Sequence, residues 1–425
     1  MRRATAALLS AALLASLARV PGCADRRGGE GEPALLFPRT EEPRDRLEIR
    51  SDSLEALFRR EEGEWRIERP FPDRADPSRI SGILVAIDAA RVLRVVDDAP
   101  EGLVPYGLDP PAGSIAVPGG EVWFGTRNPS GDGVYVLRPP GREVLLADNA
   151  LLPVATLTLG RVRDRVLLRF PARSVDRLAV LRGGSRTALR RLEPGRWLVE
   201  ESGTRGDAAA VFGVLRLLAG DGVHSFQDSL PYEPGAEEIA VDLAWEGGEA
   251  GLRVGAAVPR TSLAQALATD RAKPFRIPLH LVDSLLVRAG GLVDLGLFAG
   301  NPLDARAVSF RSEEFSFELT RGEEGGWFLR AEETIPAFTP HVRALLRNLG
   351  RVVATGAVPP GSFSFREPAA WSIAVDAEAV EIAEDAGGLL ARRAGEEGAL
   401  RLDPAVRALL ETRAGSLLEP PMPGF

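Results

Sequence analysis

The chain has 425 residues, of which 45% are hydrophobic and 26% charged, a composition typical of soluble globular domains. At about 100–200 residues per domain, this length predicts two to four domains. Because the only cysteine is Cys23, an internal disulfide framework and a zinc site of the Cys₄ or Cys₂His₂ type are both excluded.

The N-terminus has the pattern of a secretory leader. Two arginines precede an apolar run from Ala4 to Ala18, which is shorter than the roughly 20 residues that span a bilayer. The run ends at Val20-Pro21-Gly22-Cys23, which resembles the lipobox of bacterial lipoproteins. We therefore predict a signal peptide over 1–22 and lipidation of Cys23. The alternatives are cleavage without lipidation and a retained N-terminal anchor.

Charge restricts the partners of the mature chain. The formal net charge is −8, and removal of residues 1–22 takes away three Arg and no acid, which leaves −11. An acidic chain argues against nucleic acid as a partner. Residues 23–45 are polar and contain Gly, Pro and mixed charges, so we predict a lipid-anchored flexible tether there. Through that lipid, the protein is expected on the periplasmic side of the inner or outer membrane.

Three tryptophans mark an internal repeat. Trp65, Trp197 and Trp327 are separated by 132 and 130 residues, and each follows a charged turn that contains glycine. Alternating apolar residues precede each turn, a pattern typical of a β-hairpin. An Ile-Ala-Val strand comes later in each copy, at 115–117, 239–241 and 373–375. The same elements in the same order predict a tandem repeat.

Each Trp is also followed by an amphipathic helix. Asp76, Asp207 and Thr339 are the predicted N-caps, and prolines fit the first helical position in two copies. Apolar residues then recur at i, i+3, i+4 and i+7, which predicts one buried face. These faces are Ile80, Ile83, Leu84 and Ile87; Val211, Val214, Leu215 and Leu218; and Val342, Leu345, Leu346 and Leu349. A last helix is predicted near 148–158, 279–289 and 403–413.

These patterns predict an α+β protein of three tandem modules, at 46–170, 174–300 and 304–420. Each module is expected to be a mostly antiparallel sheet with short packed helices, and the three together are expected to form an elongated molecule.

The first module resembles a known bacterial family. The residues that carry the resemblance are Trp65-Arg-Ile-Glu-Arg-Pro70, Ala75-Asp76, Tyr106-Gly-Leu-Asp-Pro-Pro111, Gly125-Thr126, Gly133-Val-Tyr135 and Arg161-Val-Arg163-Asp164. On these motifs the chain is similar to domain of unknown function 4340 (DUF4340), most strongly over 50–170, with two further diverged copies. The resemblance implies an exported or membrane-anchored protein, associated in some members with ABC transport systems of the gliding-motility type. It implies no enzymatic activity and defines no catalytic residues.

No motif in the sequence is typical of a catalytic or metal site. His224, His280 and His341 lack metal-ligand spacing, and neither G-x-S-x-G nor a phosphate-binding loop occurs. The D-x-D-x-D-G pattern of calcium loops is also absent from the sequence. We therefore predict no cofactor and no metal.

One loop is a candidate recognition site. Its residues are Tyr106, Gly107, Leu108, Asp109, Pro110 and Pro111. The alternative is structural, because glycine permits a positive φ, prolines stiffen a turn, and Tyr106 could anchor the loop to the core. The structural interpretation is favoured. The repeat Trp residues are interpreted as core, and Arg161, Arg163 and Arg165 with Asp164 as a solvated charged edge.

Two classes of function follow. The first is a membrane-tethered, non-enzymatic scaffold or accessory protein of a cell-envelope complex, with an envelope or transporter protein as its partner. The second is an envelope hydrolase that acts through a carboxylate pair brought together by the fold. A module that binds glycans or small ligands is a further alternative.

Overall fold

The structure, a computed structural model, describes residues 34–235, 238–330 and 333–418. The predicted signal peptide, Cys23 and residues 24–33 of the predicted tether lie outside these residues. Within the described part of the chain, no helix combines the length and the apolar character that a membrane crossing requires.

The first module is built on one nine-stranded antiparallel sheet. Its strands are β1 (Arg46–Ser51), β2 (Leu54–Glu61), β3 (Glu64–Arg69), β4 (Asp73–Arg74), β5 (Val92–Asp97), β6 (Gly113–Val117), β7 (Gly120–Arg127), β8 (Val134–Leu137) and β9 (Val144–Ala147). They are ordered β4-β3-β2-β1-β6-β7-β8-β9-β5. Two meanders therefore meet at the central pair β1–β6, where Ile49 lies opposite Ile115.

The second module repeats this sheet with the order β13-β12-β11-β10-β15-β16-β17-β18-β14. Its strands are β10 (Arg177–Arg182), β11 (Ser185–Glu193), β12 (Arg196–Val199), β13 (Thr204–Gly206), β14 (Ser225–Phe226), β15 (Ile239–Trp245), β16 (Gly248–Ala257), β17 (Leu263–Ala268) and β18 (Phe275–Pro278).

The third module has the same order again, β22-β21-β20-β19-β24-β25-β26-β27-β23. Its strands are β19 (Ala307–Ser312), β20 (Ser316–Arg321), β21 (Trp327–Arg330), β22 (Thr334–Ala337), β23 (Gly356–Val358), β24 (Trp371–Val375), β25 (Glu378–Asp385), β26 (Gly388–Arg393) and β27 (Ala399–Arg401). Three copies of one antiparallel sheet with short helices confirm the predicted α+β tandem repeat.

Helices cover one face of each sheet. They are α1 (Pro77–Ala89), α2 (Leu152–Ala155), α3 (Leu159–Val162), α4 (Ala208–Leu218), α5 (Leu279–Gly290), α6 (Thr339–Leu349) and α7 (Arg407–Leu410). The predicted faces of α1, α4 and α6 are confirmed, because their apolar residues lie in the three cores together with Trp65, Trp197 and Trp327. The predicted last helix of each module is one continuous helix only in module 2, where it is α5. In modules 1 and 3 it is reduced to the single turns α2 and α7, each preceded by a 3₁₀ turn.

The helix starts agree with two of the three predicted caps. The Asp76 carboxylate accepts from the N–H groups of Ser78 and Arg79, and Asp207 caps α4. The third prediction was wrong, because Phe338 occupies the N-cap position of α6, without a capping hydrogen bond from its side chain, and Thr339 is the first helical residue. The Phe338 N–H donates to the Leu417 carbonyl, and this contact fixes where α6 begins.

The segment before each module belongs to the core of the module that follows. Leu167 and Leu168, which the sequence placed in module 1, are buried in the core of module 2. Leu297 and Phe298 in the same way belong to the core of module 3. The modules therefore meet a few residues earlier than the predicted boundaries.

The predicted tether over 23–45 requires the same correction. Leu36 and Phe37 are buried in the core of module 1. Main-chain bonds hold this segment to the end of α1, because Leu36 N–H donates to Ala90 and Val92 N–H donates to Ala34. This apolar pair occupies the place that Leu167 and Leu168 take in module 2, so a flexible tether can extend no further than residue 33.

Candidate functional site

The predicted recognition loop packs on the sheet of module 1, on the face opposite α1. Leu108 is 1% exposed and lies against Leu137 and Val144 in a small second core. Neighbouring strand residues such as Val136 and Leu145 point the other way, into the main core, because side chains alternate along a strand. Asp109 and Pro110 remain exposed at the tip of the loop.

Two aromatic contacts and two glycines fix the loop. The Tyr106 hydroxyl donates to Asp97 at 2.9 Å, which raises the pKa of Tyr106, and its ring meets Tyr135 edge to face. Gly107 has a φ of +67°, and the backbone of Gly125 runs so close that a Cβ there would lie 2.1 Å from the Tyr106 carbonyl oxygen. Tyr106, Gly107 and Leu108 therefore have structural contacts that account for their presence.

Modules 1 and 2 meet at a buried cluster of charges. Arg74 of β4 donates to the carbonyls of Val166 and Leu167, and its own carbonyl accepts from Asp164 N–H. From module 2, Arg271 donates to the Asp164 carbonyl at 2.6 Å. Residues 163–168, the linker strand, are thus held from both sides by arginines of different modules.

Asp73 joins the same cluster from β4. Its carboxylate accepts from Arg163 and, at 2.8 Å, from Arg271, and all three side chains are fully buried. The Arg163 guanidinium also stacks on Phe226, 3.7 Å from the ring centroid, and pairs with Asp228. Stacking and pairing compensate the desolvation of these ions.

Burial shifts the pKa values of the cluster. Burial and the charge of Arg74 lower the pKa of Arg271 to about 10, so the side chain stays charged at neutral pH. Burial alone would raise the pKa of Asp164. Hydrogen bonds from Arg169 and the Val166 N–H outweigh that effect and hold the pKa of Asp164 below its ordinary value.

Modules 2 and 3 meet through the same arrangement. Asp294 N–H donates to the Arg205 carbonyl at 3.0 Å, and Arg393 of module 3 donates to the Asp294 carbonyl at 2.7 Å. Asp294 also accepts from Gly296 N–H, as Asp164 accepts from Val166 N–H. Arg205 and Asp294 therefore correspond to Arg74 and Asp164. Arg393 makes the same contact as Arg271 but from a different position, at the end of β26 instead of the β17–β18 turn.

The second junction is more open to solvent. The Arg205 and Asp294 side chains are 22% and 23% exposed, whereas Arg74 and Asp164 are 4% and 6% exposed. A charged groove of about 800 Å³ lies beside Arg205, Asp294 and Glu378. The first junction has the additional pair Asp73–Arg163, which Thr204 and Val293 replace in the second.

The interpretation of Arg163 and Asp164 as a solvated edge was wrong. Arg163 is 1% and Asp164 4% exposed, because the linker strand runs between two modules. Arg161, in α3, and Arg165, which donates to the carbonyls of Val223 and His224, are exposed. A sequence signal was available: Arg74-Ala-Asp76 and Arg205-Gly-Asp207 precede the first two long helices, whereas Pro336-Ala-Phe338 precedes the third.

A cavity of about 400 Å³ opens in module 1, between the β1–β2 turn, helix α2 and the inner face of the sheet. Its floor is apolar, with Phe124 and Val136, and its mouth carries Asp52 and Asp148. Both oxygens of Asp148 accept main-chain N–H groups, from Arg91 and Ala150.

The described residues contain no group of three His, Cys, Asp or Glu side chains placed to hold a metal ion. His224, His280 and His341 are exposed and belong to different parts of the fold. His341 contacts the Ser416 carbonyl at 3.0 Å. Cys23, the predicted lipidation site, lies outside the described residues.

Comparison with solved structures finds weak likenesses. DNA polymerase III subunit beta from Pseudomonas aeruginosa covers 87% of this chain and 94% of its own, at 9% identity and a TM-score of 0.18. The DNA polymerase sliding clamp from Pseudomonas aeruginosa with ligand covers 84% and 90%, at 11% identity and a TM-score of 0.17. TM-scores this low carry no argument about fold or function.

No curated protein matches the sequence. One family model does, described as "Domain of unknown function (DUF4340)", over residues 65–235. The match begins at Trp65, includes the Tyr106–Pro111 loop and Asp73, Arg74, Arg163 and Asp164 of the first junction, and continues into module 2. It confirms that this segment of the chain is similar to the DUF4340 family.

Proposed function

We propose that the protein is an exported, membrane-tethered lipoprotein that acts as a non-enzymatic scaffold or accessory protein of a cell-envelope complex. The observation that carries this proposal is the repeated junction. At two successive junctions an Asp of the linker donates its main-chain N–H to an arginine carbonyl of the preceding module, and its own carbonyl accepts from an arginine side chain of the following module.

Such junctions favour a scaffold for a physical reason. Hydrogen bonds cross each module boundary, from Asp164 N–H to the Arg74 carbonyl and from Asp294 N–H to the Arg205 carbonyl, so neighbouring modules meet in one defined geometry. Surfaces on modules 1 and 2, whose junction is the more buried one, then keep a fixed spacing, which suits a protein that holds partners in place. The shallow, exposed tip at Asp109 and Pro110 supplies one surface of this kind.

We further propose that the complex is an ABC transport system of the gliding-motility type, reached through a lipid on Cys23. The support for this partner is the resemblance of the first module to the DUF4340 family, together with the family match over 65–235.

The test is capture of the C-terminally tagged chain from envelopes crosslinked in the cell, with Cys23→Ala as the matched control. We expect the wild-type chain in the membrane fraction, together with a transporter subunit, and the variant in the soluble fraction without it. Equal membrane retention of both chains would contradict the lipid anchor. Repeated recovery of the wild-type chain without any envelope protein would contradict the scaffold.

One observation favours the hydrolase alternative, because Asp52 and Asp148 both line the cavity of module 1. The hydrogen bonds of Asp148 give it a structural role as a cap, which leaves Asp52 without a free carboxylate partner at the mouth. Turnover of chromogenic glycosides or esters that is abolished by Asp52→Asn would establish the hydrolase in place of the scaffold.

A further inference from the structure

The cavity of module 1 has the shape and the lining of a ligand site. Its volume of about 400 Å³ lies within the range of small-molecule sites. The sheet contributes Phe124, Val134 and Val136 to the lining, and helix α2 with the turn before it contributes Leu151, Leu152 and Ala155. Aliphatic and aromatic side chains from two layers thus face one space, and they favour an apolar occupant.

The mouth of the cavity selects by charge. Hydroxyl groups of Ser51, Ser53 and Thr156 surround it together with the carboxylates of Asp52 and Asp148, and the lining contains no Lys or Arg. The buried Ser51 Oγ has no hydrogen-bond partner within the described residues. A hydroxyl or cationic head group would be favoured here, whereas an anionic one would be repelled.

The corresponding places in the other modules differ. In module 2 the space between the β10–β11 turn and α5 is lined by Arg182, and Val180 and Leu286 are its only large apolar side chains. In module 3 the β19–β20 turn carries Phe315, which packs against the core and stacks with Phe317. The apolar cavity is therefore a property of module 1 and does not follow from the repeated fold.

The cause lies in the last helix. In module 2, α5 continues to Gly290 along the sheet, whereas in module 1 α2 ends at Ala155. The residues that follow, Thr156 and Thr158, are β-branched and lose side-chain freedom in a helix. The accessible wall of the cavity is formed by Leu152, Ala155 and the β1–β2 turn as a result, with Val134 and Val136 of the sheet, 7% and 1% exposed, at its base.

We infer that this cavity binds the hydrocarbon chain of a single-chain amphiphile with a neutral or cationic head group. Two sources can supply such a hydrocarbon chain: a separate single-chain molecule, or one of the acyl chains that lipidation would place on Cys23. The second source is within reach, because Val92 N–H donates to the Ala34 carbonyl. The neighbouring Arg91 accepts from Asp148 N–H and donates its own N–H to the Asp148 carboxylate at the mouth. Residues 24–33 span up to about 33 Å when extended.

Calorimetric titration tests the inference, with the full chain carrying Cys23→Ala and three twelve-carbon probes, the two charged ones below their micellar concentrations and the alcohol below its solubility limit in water. The probes are 1-dodecanol, dodecyltrimethylammonium and dodecanoate. We expect the first two to bind with one-to-one stoichiometry and dodecanoate to bind at least about tenfold more weakly. Ala155→Trp, which fills the cavity from α2, should weaken dodecanol binding at least about tenfold.

The matched control is Ala289→Trp, the same change on α5 beside the corresponding space of module 2, which should leave binding unchanged. Ser53→Trp at the exposed mouth is the second blocking variant, in case Ala155→Trp does not fold. Absence of binding by all three probes would overturn the inference, as would equal losses in Ala155→Trp and Ala289→Trp.

The lipidated wild-type chain distinguishes the two sources. Dodecanol binding by Cys23→Ala but not by the lipidated chain assigns the cavity to the protein's own acyl chain. Binding by both assigns it to a separate amphiphile. The inference about the hydrocarbon chain holds in either case and does not depend on the proposed scaffold function.

Discussion

Asp73 accepts hydrogen bonds from arginines of two regions that come together only in the folded chain. Arg163 lies at the end of module 1 and Arg271 in the β17–β18 turn of module 2, and the main-chain N–H of Arg74 is a third donor. A single carboxylate therefore compensates two buried guanidinium groups. Its removal leaves charge without a partner in the least hydrated part of the first junction.

We predict that Asp73→Asn lowers the free energy of unfolding by about 3–5 kcal/mol, because the variant keeps the shape of the side chain but leaves Arg163 and Arg271 less compensated. Urea unfolding measures this change. Glu314→Gln is the control, since it removes the same charge from an exposed pair with Arg413 and should cost less than about 1 kcal/mol. Similar losses in the two variants would contradict the structural role of Asp73.

A second residue-scale prediction concerns Asp164 and pH. Its pKa in the folded chain lies below the ordinary value, so the charged form stabilises the fold above about pH 5. This contribution is lost as the pH falls through the lowered pKa. We expect the difference in unfolding free energy between wild type and Asp164→Asn to be constant from about pH 5 to 8 and to shrink below about pH 4. A difference that stays constant down to pH 3 would contradict this assignment.

At the scale of elements, the Tyr106–Pro111 loop and strand β7 fit because both lack side chains where they cross. A Cβ on Gly125 would lie 2.1 Å from the Tyr106 carbonyl oxygen, and one on Gly107 would lie 2.7 Å from the Thr126 methyl group. Two motifs that are separate in the sequence, Tyr106-Gly-Leu-Asp-Pro-Pro111 and Gly125-Thr126, therefore serve one contact. Thr126 adds a hydrogen bond from its hydroxyl to the Tyr106 carbonyl.

We predict that Gly125→Ala separates the loop from the sheet and costs about 1–3 kcal/mol of stability. Hydrogen exchange at residues 103–111 should become faster, with little change at the first junction. Gly82→Ala is the matched control of opposite sign. Its Cβ meets nothing within 4 Å inside α1, and alanine should stabilise a helix interior by about 0.5–1 kcal/mol. A destabilised Gly82→Ala, or an unchanged loop in Gly125→Ala, would contradict these assignments.

Local patterns predicted the elements more reliably than their ends. The apolar spacing at Val211, Val214 and Leu218 identified the buried face of α4, because that face depends only on helix geometry. Phe338 could not be recognised as a cap, since its position is fixed by a bond to Leu417, about eighty residues away in the sequence. Contacts of this kind do not appear in a local pattern.

The candidate site shows the same limit. Lipidation of Cys23 rests on sequence alone, whereas the cavity depends on Phe124, Val136 and Ala155 meeting from separate elements. The junctions are intermediate, because the sequence shows the positions of their residues but not their burial. Arg74 and Arg205 occupy matching positions before a capped helix, but their burial becomes apparent only when the next module is in place.

At the scale of the whole molecule, the chain distributes its junction charges unevenly. The first junction buries five charged side chains from 0% to 6% exposed, namely Asp73, Arg74, Arg163, Asp164 and Arg271. The second exposes about a fifth of Arg205 and Asp294 beside an open groove. Module 3 has no described module after it, and Pro336 stands where the first two modules carry the junction arginine. The arrangement points to a tightly fixed pair of modules followed by a more adjustable third.

Added salt should therefore weaken the ion pairs of the second junction and leave those of the first almost unchanged. The Debye length, over which a charge acts in solution, falls from about 10 Å at 0.1 M to about 3 Å at 1 M ionic strength. Salt therefore weakens exposed ion pairs far more than buried ones. Matched amides report on each junction: Asp164 and Val166 on the first, Asp294 and Gly296 on the second. In 1 M NaCl we expect exchange at Asp294 and Gly296 to become about two- to fivefold faster, as the loss of a partly exposed pair implies. Asp294→Asn should remove that salt dependence. An equal response of the two pairs of amides would show that both junctions are equally closed, against the exposure of Arg205 and Asp294.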